Sequence, residues 1–167
     1  MLPVEAPADS GLPRRICEAV RDWLVEGREA GKFLMHGQDM GAILAEQPLL
    51  PLHGQFPQLY VIWVSATPVD TMVCYPQVSH VLEVAGQVRF YTQDPMQSQL
   101  VKDCRDLAWA VYAHLRLNRA LGGLVTDFSI GRVSGDTEYL LRQDIAANGV
   151  VEFMAKAVDT FSLETNT

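Results

Sequence analysis

Four histidines carry the side chains best suited to proton transfer or metal binding, since imidazole titrates near neutral pH and is a common metal ligand. They are His36, His53, His80 and His114. No pair has the His-x-x-x-His or His-Glu-x-x-His spacing that brings two ring nitrogens to one side of a helix. We therefore expect no metal and no cofactor. His80 is predicted to face a sheet with a satisfied hydrogen bond, His114 to lie on the water side of a helix, and His36 and His53 to be exposed in an irregular loop.

Motifs for nucleophilic catalysis and for phosphate binding are missing from the sequence. There is no Gly-x-Ser-x-Gly elbow, and the glycines around Gly27 and at Gly122-Gly123 match neither a phosphate loop nor a dinucleotide fingerprint. Two pairs of neighbouring carboxylates are predicted to belong to solvated faces rather than to a catalytic dyad. These pairs are Glu26 with Glu29 and Asp103 with Asp106. The sequence therefore predicts no catalytic residues.

The composition is that of a folded, acidic protein. Hydrophobic residues make up 49% of the 167 residues, charged residues 20%, and the formal net charge is −7. A chain of this length can bury about two-thirds of its unfolded surface around one core, which predicts a single domain over residues 1–167. The negative charge argues against a surface that binds nucleic acid or anionic lipid.

The chain has no predicted membrane or export segment. Its first ten residues lack a basic start followed by an apolar run, and no apolar stretch approaches the roughly 20 residues that cross a bilayer. We expect it to be made and kept in the cytoplasm. Cys17, Cys74 and Cys104 are odd in number and widely spaced, which favours buried free thiols over disulfides or a zinc knuckle.

Two segments have apolar residues at helical spacing. The first follows a lead at residues 1–9, with Ser10 as its predicted N-cap and Pro13 in its first turn. The second is predicted to open at Asp94-Pro95, to carry its apolar stripe from Leu100 to Leu115, and to be stopped by Gly122-Gly123.

Four further segments are predicted to be strands, because they contain β-branched runs or alternate apolar with polar residues. They are residues 59–66, 78–92, 124–131 and 145–157. The first is predicted to end before Pro68, the second to contain a bulge at Gly86, and the last two to be joined by a turn at Ser134-Gly135-Asp136.

The aromatic residues divide into two groups by position. Tyr60, Trp63 and Phe90 are predicted to be buried by strand alternation. Trp109, Tyr112 and Tyr139 fall off the main apolar stripes, which leaves a second surface open for them. For Trp109 the favoured interpretation is that it widens the buried face of its helix, and the alternative is that it anchors a neighbouring subunit.

The order of these elements predicts an α+β fold: a mixed, mainly antiparallel four-stranded sheet with two main helices packed on one face. Residues 27–57 contain many glycines and prolines and are predicted to form a long irregular loop with at most short pieces of helix or strand. A loop of this length is expected to contact a partner or ligand. Residues 164–167 are predicted to be frayed.

Several segments together resemble the tail terminator, or tail completion, proteins of long-tailed bacteriophages. The resemblance covers about Ser10 to Val158, except residues 27–57. It includes the first helix and the strand Tyr60 to Val64. The rest is carried by five segments in order: His80-Val81-Leu82-Glu83-Val84 leading to Val88-Arg89-Phe90-Tyr91, the helix Leu100 to Leu115, Leu121-Gly122-Gly123-Leu124-Val125, Gly135-Asp136-Thr137-Glu138-Tyr139, and Gly149-Val150-Val151-Glu152-Phe153.

The resemblance implies a non-enzymatic virion protein that forms a hexameric ring on the last ring of the tail tube protein. Such a ring stops tube growth and offers a surface to the head-to-tail connector protein. It would assemble in the host cytoplasm and then reside in the neck of the virion, at the top of the tail. An acidic ring is compatible with DNA passing through its lumen without specific binding.

A cyclic ring brings two different surfaces of each subunit together. The hypothetical contact residues fall in the 27–57 loop and near the last hairpin. They are Phe33, Met35, Met40, Leu50, Arg132, Tyr139 and Arg142. Two alternatives stay open: another phage neck component, such as a head-closure or connector protein, and a small enzyme whose site is assembled from the loop that carries His36 and His53.

Overall fold

The computed structural model describes residues 11–34, 41–45, 57–92, 100–139 and 145–162. Within these ranges the chain forms two helices and five strands, with three strands after the first helix and two after the second. They are α1 (Leu12–Glu29), β1 (Ile43–Leu44), β2 (Gln58–Cys74), β3 (Gln77–Thr92), α2 (Leu100–Leu115), β4 (Asp127–Tyr139) and β5 (Ile145–Ser162). A short 3-10 turn at Leu121–Gly123 separates α2 from β4. The predicted N-cap Ser10 and the predicted helix start at Asp94-Pro95 lie outside the described residues.

The strands form one mixed sheet in the order β1-β2-β3-β5-β4. β1 runs parallel to β2, and every other neighbouring pair is antiparallel. The predicted count of four strands was wrong because it omitted β1. Two residues are too few to show the alternation from which a strand is recognised in a sequence.

Both helices bury their apolar stripes against one face of the sheet. α1 contributes Leu12, Ile16, Cys17, Val20 and Leu24, and α2 contributes Cys104, Leu107, Ala108, Val111 and Leu115. On β3 the buried residues Val84, Val88 and Phe90 belong to the same core, which confirms the predicted alternation. Each such side chain contributes roughly 1.5–3 kcal/mol when fully buried. We call this side of the sheet the helix-side face.

Two glycines make room for phenylalanines on the neighbouring strand of this face. Gly86 pairs with Phe153, and Gly149 pairs with Phe90, across the β3–β5 ladder. A Cβ atom on either glycine would overlap the ring of its partner. Gly86 was predicted to be a bulge, but the register irregularity lies on β2, between Trp63 and Ser65.

β2 and β4 are longer than predicted. β2 does not end before Pro68 but continues to Cys74, with a second register irregularity between Pro68 and Asp70. Proline is tolerated here because an irregular edge position requires no N–H donor. The predicted turn at Ser134-Gly135-Asp136 was also wrong, because β4 continues to Tyr139. Gly135 instead allows a close approach of α2: a Cβ there would lie 3.2 Å from Cys104 Sγ.

The end of α2 also differs from the prediction. The helix ends at Leu115, before Gly122 and Gly123. Both glycines have positive φ, 70° and 91°, in and beside the 3-10 turn. They therefore shape the connection to β4 rather than stop the helix, since this backbone region favours glycine.

Candidate intersubunit surface

A three-stranded extension of the sheet carries eight of the eleven exposed large hydrophobic side chains of the described residues. β2 and β3 continue past the helices, and every residue from Trp63 to Gln77 is exposed. β5 runs beside β3 to Ser162, where Ser162 pairs with Gln77. We define the arm as residues 63–83 together with residues 156–162. Its exposed large apolar side chains are Trp63, Val64, Val69, Met72, Val73, Tyr75, Val158 and Phe161.

The register divides the arm into two faces. The helix-side face carries a row formed by Val73, Val78 and Phe161 next to a row formed by Thr71, His80 and Asp159. His80 connects the two rows: its Nδ1 lies 2.9 Å from Thr71 Oγ1, and its ring centroid lies 5.2 Å from that of Phe161. This satisfied, sheet-facing His80 confirms the sequence prediction.

The opposite face of the arm carries another set of cross-strand contacts. Ser79 Oγ lies 3.0 Å from Thr160 Oγ1, and Lys156 Nζ lies 3.9 Å from Glu83 Oε2. Val158 is exposed on this face, next to Thr160. Both faces are therefore partly apolar, and only the helix-side face continues the surface on which α1 and α2 pack.

The sequence analysis missed most of the arm because proline is typical of a strand end, and the strand was predicted to end before Pro68. Trp63, predicted to be buried, is 50% exposed at the base of the arm. Tyr60 and Phe90 are buried, as predicted. The signal that was available is the alternation of the β-branched residues Val69, Thr71 and Val73, which is typical of a strand.

The solvent side of α2 carries a second exposed aromatic surface. The favoured prediction, that Trp109 widens the buried face of the helix, was wrong. Trp109 is 62% exposed, and its ring centroid lies 4.8 Å from that of Tyr112. The Arg116 guanidinium lies 5.5 Å from the centroid of the Tyr112 ring. Lys102, Trp109 and Arg116 are seven residues apart and so lie close to one line along the helix. We call this surface the α2 patch.

His114 is not on the water side of α2, as was predicted, but between the two helices, 5% exposed. Its Nε2 donates to the Trp23 carbonyl oxygen at 2.7 Å, and Trp23 Nε1 donates to the His114 carbonyl oxygen at 2.9 Å. The two rings stack at 4.3 Å between centroids and 11° between planes. The prediction failed because His114, three residues after Val111 and next to Leu115, borders the apolar stripe, and α1 covers that position as well.

The predicted contact residues occupy different environments. Phe33 is 1% exposed and meets the His114 ring edge-on at 5.4 Å, so its side chain belongs to the core and is withdrawn from the contact surface. Arg132 is exposed on β4. Tyr139 ends β4, and only its backbone is described. The remaining four residues, Met35, Met40, Leu50 and Arg142, lie outside the described residues.

The titratable groups give little sign of a reaction centre. Over the described ranges, no three His, Cys, Asp or Glu residues are grouped so as to hold a metal ion. Glu26, Glu29 and Asp106 are exposed, as predicted, whereas Asp103 is buried, so its assignment to a solvated face was wrong. His36 and His53 lie outside the described residues.

The cysteines differ in burial. Cys17 and Cys104 are buried free thiols, as predicted, but Cys74 is exposed because the hairpin reaches its tip there. Burial, with a smaller contribution from the Glu18 carboxylate, raises the pKa of Cys17 from 9.0 to about 12. Cys104 Sγ donates to the Asn148 carbonyl oxygen at 3.1 Å. The Cys17 thiol therefore stays protonated near neutral pH and is a poor nucleophile.

A shallow pocket of about 220 Å³ lies where β3 and β5 pair near the far end of the sheet from the arm. It is lined by Arg89, Phe90, Tyr91, Asn148, Gly149 and Val150. Its lining contains no cysteine, histidine or carboxylate, and Tyr91 and Arg89 are its titratable residues.

Neither a protein-family model nor a curated protein sequence matches this chain. In the part of the chain that is described, no helix is both long and apolar enough to cross a membrane.

Proposed function

We propose that this chain is a structural protein that ends the growth of a bacteriophage tail tube. In this proposal six copies form a ring on the last ring of tail tube protein and present a surface to the head-to-tail connector protein. The role is non-enzymatic and needs no cofactor. DNA passes through the lumen without specific binding, and the ring moves from the host cytoplasm into the neck of the virion. The proposal starts from the sequence resemblance to tail terminator proteins.

The arm is the observation that carries the proposal. A monomeric soluble protein rarely exposes a large contiguous apolar surface, and such surfaces mark contacts with other proteins. The arm exposes Trp63, Met72, Val73, Tyr75 and Phe161 within one extension of the sheet. Burial of these side chains against neighbouring protein would remove them from water, as assembly into a ring requires.

The charge of the chain supports the same role. A net charge of −7 repels the DNA backbone. A ring through which DNA must slide benefits from this repulsion, because strong binding would arrest the DNA.

The test is electron microscopy of virus particles produced with this gene deleted, with tail length and head attachment scored. We expect over-long tubes without heads, and normal tails when the intact gene is supplied from a plasmid. Tails of normal length that are unattached to filled heads would instead indicate a head-closure or connector protein. Fully infectious particles would refute the structural role and direct attention to an enzyme with His36 and His53.

A further inference from the structure

We propose that the helix-side face of the arm docks on the α2 patch of a second copy of this chain. The inference rests on the proposed ring, since it names the two surfaces that meet between neighbouring subunits. It is drawn from the layering of the sheet, the charge of the two surfaces and the shape of the β2 edge.

The first argument is continuity of the helix layer. In the body of the protein, α1 and α2 cover the helix-side face at Val84, Val88 and Phe90. The same face continues into the arm, where Phe161 and Val73 are exposed. A helix from a neighbouring copy would continue the layer, as expected for a domain built from helices on one side of a sheet. The α2 patch offers an exposed Trp109 for this contact.

The second argument is charge complementarity within one sequence. The arm carries four charged side chains, and the register divides them between its faces. Asp70 pairs with Val81 and lies on the opposite face, together with the Glu83–Lys156 ion pair. Asp159 is the formally charged side chain of the helix-side face, which therefore has a charge of −1. The exposed charges of the α2 patch are Lys102, Arg105, Arg116 and Asp106, a net charge of +2. Complementary charge steers association and disfavours wrong pairings, here arm with arm or patch with patch.

The third argument is that the outer edge of β2 is poorly suited to strand addition. β1 covers only Leu59 and Tyr60 of that edge. Beyond them, β2 has two register irregularities and Pro68, which are features that block edge-to-edge pairing. Docking through a face of the arm is therefore favoured over extension of the sheet. The arm and the α2 patch are different surfaces, so their contact can repeat head to tail from one copy to the next, as a ring of more than two subunits requires.

The experiment is cross-linking between two differently substituted copies, in a Cys74→Ser background that removes the exposed thiol. One copy carries Thr71→Cys on the helix-side face of the arm, and the other carries Asp106→Cys beside Trp109. A short bis-maleimide joins copies in which these positions are close. We expect a cross-linked dimer when the two copies are mixed, and none from either copy alone.

Matched variants locate the contact. Phe161→Asp in the arm copy or Trp109→Asp in the patch copy should lower the cross-link yield at least about tenfold, which corresponds to about 1.4 kcal/mol. Val158→Asp is the control, because Val158 is exposed on the same strand but on the opposite face. It should leave the yield unchanged. Circular dichroism on each variant checks that the fold is retained.

Charge reversal tests whether the acidic Asp159 of the arm meets the basic Arg116 of the α2 patch. Asp159→Arg in the arm copy and Arg116→Glu in the patch copy should each reduce the yield, and the two together should restore it. Failure to cross-link the unreversed pair, arm-to-arm products, or a loss caused by Val158→Asp but not by Phe161→Asp would overturn the inference.

The outcomes separate this inference from the proposed function. If deletion of the gene yields over-long tubes but the two copies fail to cross-link, the proposed function stands and the inferred contact is refuted. If the two copies cross-link specifically but particles without the gene are infectious, the contact stands and the proposed function is refuted.

Discussion

Replacing His114 by alanine should destabilise the protein strongly, although histidine near a helix end is often an exposed residue. His114 is buried between α1 and α2, and its Nε2 donates to the Trp23 carbonyl oxygen at 2.7 Å. Trp23 lies inside α1, so its carbonyl keeps the helical N–H donor of Gly27, and losing the His114 hydrogen bond costs about 0.5–1.5 kcal/mol. The cavity left by the ring costs about 1 kcal/mol more. Losing the stacked contact with the Trp23 ring costs a further 0.5–1.5 kcal/mol, approximately. We expect a loss of about 3 kcal/mol in the free energy of unfolding.

The assay is urea unfolding followed by far-UV circular dichroism, with the midpoint and slope fitted together. A loss of about 3 kcal/mol is a large part of the roughly 5–15 kcal/mol that stabilises a domain. The control is Asp106→Ala on the exposed side of the same helix, which should change stability by no more than about 0.5 kcal/mol.

A second substitution separates the hydrogen bond from the stacking. The amide nitrogen of glutamine reaches approximately as far as His114 Nε2, so His114→Gln can keep a donor for the Trp23 carbonyl while removing the ring. It should recover part of the loss seen with alanine. If His114→Ala changed stability by less than about 0.5 kcal/mol, the two helices would not be joined through this residue and the reasoning would be refuted.

Three further predictions use the same core and the cysteines. Gly27→Ala should destabilise the protein by about 1–2 kcal/mol in urea unfolding, since its Cβ would lie 2.7 Å from both the His114 and Phe33 rings; this overpacking outweighs the gain of up to about 1 kcal/mol in helix propensity. A neutral or stabilised variant would contradict the close approach. The stability contributed by the protonated Cys17 thiol should be fully present below pH 9 and fall by about 1.4 kcal/mol per pH unit between pH 9 and its raised pKa of about 12. Cys17→Ala should flatten that part of the pH profile of unfolding, and an unchanged slope would argue against the raised pKa. Iodoacetamide should modify Cys74 quickly and the other two thiols only on unfolding, as mass spectrometry of digested peptides would show; equal labelling of all three in the folded protein would contradict their burial.

Much of the fold was contained in local patterns. Spacing of apolar residues predicted α1 and α2, and alternation predicted the core face of β3, because helix and strand periods differ and each leaves a distinct pattern. These features depend on neighbours in sequence, so the sequence is enough to recognise them.

Glycine and proline were less informative because each has more than one structural use. Pro68 was taken as a strand end, yet it lies within β2 beside a register irregularity. Gly135 was taken as a turn residue, yet it lies within β4 and allows α2 to approach. Which use applies depends on the element packed against the residue, and that element is distant in sequence.

The sequence by itself determined the α+β class, the two helices and the acidic charge. Tertiary structure decided that His114 and Phe33 are buried together and that Trp63 and Phe161 are exposed on an arm. The physical reason is that burial depends on what covers a residue. Periodicity defines which side chains share a face, but only the packed structure shows how far the helices extend over that face and where it is left uncovered.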